Sequence, residues 1–151
     1  MGKDFDKAGA YEALYGRVSA LDDLGAIAAE TLSAMGFLWV GYYLVKDGNL
    51  VLGPYSGPPA CELIRKGKGV CGTAWEQGRT IIVPDVDEFP GHIACSSLSH
   101  SEIVVPLFSG DEVIGVLDID SEDLDSFDGE DAVWLGKIAR LSEGILNGNN
   151  Q

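Results

Sequence analysis

Residues 101–121, SEIVVPLFSGDEVIGVLDIDS, predict two antiparallel strands joined by a tight turn at Gly110-Asp111. Apolar residues alternate along both arms, so one face of this hairpin is directed into a core. Asp118 and Asp120 are two residues apart, and side chains at that spacing lie on the same face of a strand. The stretch therefore indicates an antiparallel sheet that carries acids on one face.

Further strand signals lie upstream of this hairpin. FLWVGYYLV (residues 37–45) is rich in aromatic and β-branched residues, and a turn at residues 46–49 leads into LVLGPYSG (residues 50–57). TIIVPDV (residues 80–86) predicts a third strand. The loop within VPDVDEFPGHIACSSLSHSEIVVP (residues 83–106) is long for a compact domain, and loops of that length are usually functional.

Apolar residues at helical spacing predict four helices. They span residues 6–19, 22–35, 67–78 and 128–146. The apolar stripe of the last helix comprises Val133, Ile138, Leu141 and Ile145, and the residues after it are expected to fray. This order of elements predicts an α+β domain with an antiparallel sheet and helices on one face.

The composition predicts a single domain over residues 1–151. Asp and Glu number 24 against 10 Lys and Arg, and the net charge of -14 repels both nucleic acid and an anionic membrane surface. The sequence shows neither a secretory leader pattern nor an apolar stretch long enough for a membrane span. We therefore expect a cytoplasmic protein without a nucleic-acid or membrane partner, whose cysteines are kept reduced.

The three cysteines, Cys61, Cys71 and Cys95, lack the close spacing of a zinc knuckle or of a Cys-x-x-Cys redox centre. A zinc ion held by these thiols and His92 is conceivable after folding, but the spacing argues against it. We therefore expect no metal. Reactive or buried thiols are the alternatives that the sequence favours.

Four segments together resemble the GAF-domain free methionine-(R)-sulfoxide reductases. They are GPYSGPPACELI (residues 53–64), GKGVCGTAWEQG (67–78), VPDVDEFPGHIACSSLSHSEIVVPL (83–107) and VIGVLDIDS (113–121). The resemblance covers nearly the whole chain, and all three cysteines fall on cysteines of that family. It implies a GAF-like α+β fold, with the N- and C-terminal helices on one face of the sheet and a loop-covered pocket on the other.

The same resemblance implies an enzyme that reduces the R epimer of free methionine sulfoxide to methionine. Thioredoxin would be its reductant, no cofactor would be needed, and a homodimer is favoured. Thiol chemistry agrees with this reading, because a thiolate that attacks a sulfoxide becomes a sulfenic acid and a second cysteine then closes a disulfide.

The resemblance places the attacking thiolate at Cys95, which lies among serines in the long loop. Cys61 follows the Gly- and Pro-rich segment GPYSGPPA and is assigned as the resolving cysteine. Cys71 is a rival nucleophile on residue grounds, because the first turn of a helix lowers the pKa of a thiol. The sequence favours Cys95 without deciding between the two.

Glu102, Asp118 and Asp120 flank the loop on apolar strands, where an inward acid is costly to bury without a partner. A substrate ammonium group is such a partner, and one protonated carboxyl could donate to the sulfoxide oxygen. Trp39 and Tyr43 share a strand face and could form an apolar wall for the substrate methyl group. The plainer alternatives are solvent-facing acids and core aromatic residues.

The loop histidines His92 and His100 could lower the pKa of a neighbouring thiol, although a loop histidine is more often a surface residue. Two other functional classes remain open. One is a GAF-type sensor of a cyclic nucleotide or similar small molecule, and the other is a cysteine redox switch without turnover.

Overall fold

A six-stranded antiparallel sheet forms the centre of the computed structural model, which describes residues 6–91 and 98–148. The strands are β1 (Trp39–Lys46), β2 (Asn49–Ser56), β3 (Leu63–Arg65), β4 (Ile81–Val83), β5 (Ser101–Ser109) and β6 (Glu112–Ser121). Their order across the sheet is β3-β2-β1-β6-β5-β4, and every neighbouring pair is antiparallel. The central position of β1 and β6 places Trp39 opposite Asp120 and Gly41 opposite Asp118.

The sheet carries helices on both faces. The helices are α1 (Lys7–Val18), α2 (Leu24–Met35), α3 (Gly69–Gln77) and α4 (Gly129–Gly148). Helices α1, α2 and α4 pack on the side that we call the helix face, whereas α3 covers part of the other side, the pocket face. Among the described residues, no helix is both long and apolar enough to cross a membrane.

Side chains alternate between these two faces along the central strands, as the strand period requires. On β1, Tyr42 packs with the core of the helix face, and its neighbour Tyr43 packs with the core of the pocket face. On β6, Leu117 and Ile119 belong to the helix face, while Val116 belongs to the pocket face. Asp118 lies between Leu117 and Ile119 in sequence and is therefore directed to the pocket face.

Local signals in the sequence account for where the helices begin and end. Asp6 accepts a hydrogen bond from the backbone N–H of Gly9, and Asp23 accepts one from Ala26, so each caps the first turn of its helix. Gly78 ends α3 with a φ of 64°, a left-handed conformation that favours glycine. The predicted helices and both predicted hairpins are confirmed.

Four details of the prediction are wrong. The first is the expectation of helices on one face alone, because α3 packs on the pocket face. Strand β3 lies in a stretch for which the sequence predicted no element, because a strand of three residues is too short to show alternation. Val133 was placed in the apolar stripe of α4, but its side chain is 58% exposed, and the polar Asp131 is buried instead. Helix α4 also continues to Gly148, where we expected fraying, and the Asn147 side chain donates to the carbonyl of Phe108.

Candidate active site

A pocket opens on the pocket face, between the central strands, the start of α3 and the segment that follows β2. The pocket, its open mouth included, encloses about 570 Å³, which lies in the size range of small-molecule sites. The lining residues are Leu38, Trp39, Tyr43, Pro59, Ala60, Ile64, Lys68, Gly69, Val70, Cys71, Ser99, Glu102, Asp118 and Asp120.

The three acids that the sequence singled out converge in this pocket. Glu102 on β5 is the register partner of Asp120 on β6, and Asp118 lies two residues along the same strand. Glu102 and Asp118 are 6% and 5% exposed, respectively. Ser99 Oγ donates a hydrogen bond of 2.8 Å to Asp120 Oδ1. The pleat of one hairpin thus directs three carboxyl groups into one pocket.

Burial and mutual repulsion favour the protonated forms of Glu102 and Asp120. Burial raises the pKa of Glu102 well above its ordinary value, and the negative charges of Asp118 and Asp120 raise it further. Burial and the charge of Asp118 likewise raise the pKa of Asp120, against the lowering effect of the Ser99 hydrogen bond. The pocket therefore favours a cationic ligand group and holds carboxyl groups that are able to donate a proton.

Cys71 lies beside the acids, at the start of α3. Its Sγ is 4.0 Å from Glu102 Oε2, and the residue is 4% exposed. Burial, followed by the charges of Asp118, Glu102 and Asp120, raises the pKa of the Cys71 thiol well above its ordinary value. The expectation that the helix N-terminus lowers this pKa is therefore wrong, because desolvation and three nearby acids outweigh the helix dipole.

The same cluster has the ligand types of a metal site. One ligand atom each from Cys71, Glu102 and Asp118 lies within 4.8 Å of the others, a spacing that one divalent cation could bridge. This set differs from the one considered from the sequence, which combined Cys61, Cys71, Cys95 and His92. Cys95 and His92 lie outside the described residues.

An aromatic wall closes one side of the pocket. The ring of Trp39 stacks between those of Tyr43 and Tyr55, with centroid separations of 6.0 Å and 5.4 Å. The Trp39 ring lies across Gly41, where a Cβ atom would come within 2.4 Å of the indole. Glycine is therefore needed at this position. The role of Gly41 was not predicted from the sequence, although Gly41 lies midway between Trp39 and Tyr43.

Cys61 lies at the edge of this wall and is partly buried. Its backbone carbonyl accepts a hydrogen bond of 2.8 Å from the Tyr43 hydroxyl. His100 is exposed, and its Nδ1 is 2.7 Å from the carbonyl oxygen of Glu122. The structure thus brings together Trp39, Tyr43, Cys61, Cys71, Glu102, Asp118 and Asp120, and places His100 at the surface.

Sequence reasoning missed several lining residues. Ser99 was noted only as part of a polar loop, yet it is 8% exposed and bonds to Asp120. Lys68 and Gly69 contribute the start of α3 to the pocket. Glycine on both sides of Lys68 was the available signal, since Gly67 and Gly69 have positive φ angles of 78° and 64°.

Comparisons with known proteins agree with this architecture. A family model described as GAF domain matches residues 18–146. GAF domain-containing protein A of Dictyostelium discoideum is 54% identical over 129 residues, which cover 85% of this chain and 82% of that protein. The free methionine-R-sulfoxide reductase of Escherichia coli is 40% identical over 146 residues, which cover 97% of this chain and 86% of that protein.

A solved structure gives the same result. The free methionine-R-sulfoxide reductase of Neisseria meningitidis, determined in complex with its substrate, is 47% identical and superimposes with a TM-score of 0.89. The match covers 97% of this chain and 94% of that one. Sequence and fold agree over almost the full length, so this chain belongs to the GAF-domain family of free methionine-R-sulfoxide reductases.

Proposed function

We propose that this protein reduces free methionine-(R)-sulfoxide to methionine through a thiolate of Cys95, a resolving thiol of Cys61 and thioredoxin as the reductant. The observation that carries the proposal is the convergence of Glu102, Asp118 and Asp120 with an aromatic wall in one small pocket. Family membership supports the substrate class, because relatives of this chain are named for that activity.

Recognition of a free amino acid follows from the charges of the pocket. Burial and neighbouring carboxylates raise the pKa of Glu102 and Asp120. A cation placed among these groups therefore stabilises their ionised forms. The α-ammonium group of free methionine sulfoxide supplies that cation, whereas a peptide nitrogen carries no charge. Trp39 and Tyr43 then offer an apolar surface to the methyl group attached to sulfur.

The chemical step needs a proton on the sulfoxide oxygen. A buried carboxyl of raised pKa, Glu102 or Asp120, holds a proton at neutral pH and can donate it as the thiolate of Cys95 attacks the sulfoxide sulfur. The oxygen passes to Cys95 as a sulfenic acid, and the substrate sulfur gains the electron pair and leaves as methionine. Cys71 is a weaker candidate for the attack, since its raised pKa keeps it a thiol.

A second thiol closes the reaction. The Cys61 thiolate attacks the sulfenic sulfur, an S–S bond forms, the S–O bond breaks, and the hydroxyl group leaves with a proton as water. A dithiol reductant such as thioredoxin then reduces the disulfide by two exchange steps. We place this cycle in the cytoplasm, where such reductants are maintained.

A homodimer is part of the same proposal. The exposed side of α4 carries Val133, which is 58% exposed, and the half-buried Trp134 next to it. The family resemblance favours a homodimer, and we propose this side of the terminal helix as the surface through which two copies pair. Sedimentation of the purified chain measures the mass directly, and a monomer at micromolar concentration would reject this part.

The test of the function is steady-state oxidation of reductant by the purified protein. With thioredoxin, its reductase and NADPH, consumption should depend on added methionine-(R)-sulfoxide and should continue for many turnovers. A sensor would consume none, and a redox switch would stop after about one equivalent of reductant per protein. The S epimer at the same concentration is the matched control, and equal rates on both epimers would reject the assigned specificity.

A further inference from the structure

Two side chains on β1 hold the segment of residues 58–61, which ends at Cys61. Trp39 Nε1 donates a hydrogen bond of 2.9 Å to the carbonyl of Pro58. The Tyr43 hydroxyl donates one of 2.8 Å to the carbonyl of Cys61. Both donors project from the pocket face of one strand, so that strand fixes the two ends of the segment.

The segment has little other main-chain support. Pro58 and Pro59 have no backbone N–H to donate. Among the backbone–backbone hydrogen bonds between described residues, none involves Pro58, Pro59 or Ala60. Among the contacts between described residues, the two aromatic donors therefore supply hydrogen bonds at both ends of this stretch.

The Tyr43 hydroxyl is well suited to this task. Burial raises the pKa of the phenol, and the nearby Asp118 and Cys71 raise it further, so the group remains a protonated donor over the physiological pH range. The phenol hydroxyl donates to the main-chain carbonyl of Cys61, so it acts on the backbone of the cysteine. Its ring already lies in the pocket wall beside Trp39, so the hydroxyl links the substrate site to the resolving thiol.

We propose that the Tyr43 hydroxyl is a positioning group for Cys61, which holds the backbone of the resolving cysteine at the pocket edge so that disulfide closure is fast. The proposal rests on the resolving role given to Cys61 above. Disulfide formation requires narrow geometry between the two sulfur atoms and their Cβ atoms. A backbone that already lies near that geometry raises the effective concentration of the second thiol.

The test separates the two chemical steps in Tyr43→Phe. Enzyme reduced beforehand is mixed with methionine-(R)-sulfoxide without reductant, and methionine, sulfenic acid and disulfide are quantified at short times with a sulfenic-acid trap. Tyr43→Phe should slow disulfide closure about tenfold more than it slows methionine formation. Trapped sulfenic acid should rise accordingly. A change in folding alone would slow both steps together.

Tyr42→Phe is the matched control. Tyr42 is the next residue on the same strand, it faces the opposite way, and its hydroxyl lies 2.7 Å from Ser142 Oγ. Removal of that hydroxyl deletes one buried hydrogen bond of the same kind and should leave the ratio of the two steps at the parent value. An equal change of the ratio in both variants would overturn the positioning role.

Three outcomes are distinguishable. Disulfide closure in Tyr43→Phe that keeps pace with methionine formation, as in the parent, overturns the proposal while the function stands. A parent protein that forms no methionine overturns the proposed function itself. In a Cys61→Ser background, Tyr43→Phe should add nothing to the accumulation of sulfenic acid, and an additional rise there would show that the hydroxyl does not act through Cys61.

Discussion

Buried acids on the two faces of the sheet have opposite surroundings. On the helix face, Asp131 is fully buried and fully engaged: it accepts hydrogen bonds from the Tyr11 hydroxyl at 2.5 Å and from Lys7 Nζ at 2.7 Å. The backbone N–H of Asp128 donates to it as well, at 2.8 Å. This acid joins α1 to the start of α4, and its charge is met by a cation.

On the pocket face, the acids are brought close to one another. Glu102 and Asp120 face each other across β5 and β6, and the pKa of each is raised by burial and by the charge of Asp118. Such an arrangement adds little to stability, because desolvation of acids that lie beside one another is costly. The difference indicates that the helix face is arranged for folding and the pocket face for a ligand that brings positive charge.

The largest expected effect is on catalysis from the pocket face. Loss of a charge-assisted contact with a substrate ammonium costs on the order of 2 to 5 kcal/mol, or roughly thirtyfold to several thousandfold in kcat/KM. Asp118→Asn, Asp120→Asn and Glu102→Gln should each be tested on free methionine-(R)-sulfoxide and on its N-acetyl derivative. The parent should strongly prefer the free amino acid. The variant that lacks the acid that binds the ammonium should lose this preference.

The two substrates also separate the roles of the acids. A variant whose rate falls equally on both has lost a carboxyl that acts on the sulfoxide oxygen, and we expect this of Glu102 or Asp120. Asp131→Asn is the matched control from the helix face and should keep the parent preference. Comparable parent rates on the free and acetylated substrates would show that the acids do not bind the amino group.

The next effect is on stability and comes from the helix face. Asp131→Asn weakens the contact with Lys7 and disturbs the bond to Tyr11, and we expect the free energy of unfolding to fall by about 2 kcal/mol. This value lies below that of a fully buried ion pair, because the Lys7 side chain is 28% exposed. Urea denaturation measures it. A fall at least as large in Asp120→Asn would contradict the contrast between the two faces.

The pH dependence of stability gives a smaller effect with a defined sign. The pKa of Glu102 is raised in the folded protein, so the folded state binds more protons than the unfolded state above pH 4.5, the ordinary pKa of this group. Its contribution to stability is fully present below that pH and is lost as the pH rises through the raised pKa. The unfolding free energy of the parent should therefore fall relative to that of Glu102→Gln as pH rises.

Unfolding of both proteins between about pH 5 and 8 gives this difference directly, with Asp131→Asn measured alongside for the helix face. A difference between parent and Glu102→Gln that is constant over that range would mean that Glu102 keeps an ordinary pKa. One that moves in favour of the parent as pH rises would mean that a cation lies close to it.

The smallest effect is on the helix face and stabilises the fold. Among the described residues, a Cβ at Gly136 in α4 would meet no atom within 4 Å beyond its own stretch of helix backbone. Gly136→Ala should therefore raise the free energy of unfolding by about 0.5–1 kcal/mol, since alanine restricts the unfolded chain and favours the helix. Thermal unfolding measures it, and the reductase rate should stay at the parent value. A destabilised variant would show that Gly136 is packed against a neighbouring group that leaves no room for a methyl group.

Much of this contrast was visible in the sequence. The alternation in residues 101–121 fixed which face each acid would take, because a strand allows only two directions for a side chain. The turns at Gly48 and Gly110 were equally predictable, because glycine readily adopts the positive φ angles that both residues have in the structure. Strand alternation and tight turns depend on residues that lie close together in the sequence, so the sequence predicts them.

The errors concern features that only tertiary packing decides. The position of Cys71 in the first turn of α3 predicted a lowered pKa, but the acids that raise it come from β5 and β6. Val133 matched the helical period, yet the buried side of α4 is set by its packing on β5 and α1, and Tyr11 and Lys7 of α1 hold Asp131. The role of Gly41 was missed because it depends on where the Trp39 ring lies.

The most direct measurement of the proposed reaction is the amount of methionine formed per enzyme without any reductant. The parent and Cys61→Ser should each form about one equivalent, and Cys95→Ser should form none, because a serine hydroxyl is a far weaker nucleophile than a thiolate. Cys61→Ser should then stall with a sulfenic acid, whereas the parent stalls with a disulfide that includes Cys95. A full equivalent from Cys95→Ser would contradict attack by Cys95 and move that role to Cys71, and no methionine from the parent would contradict the reductase function.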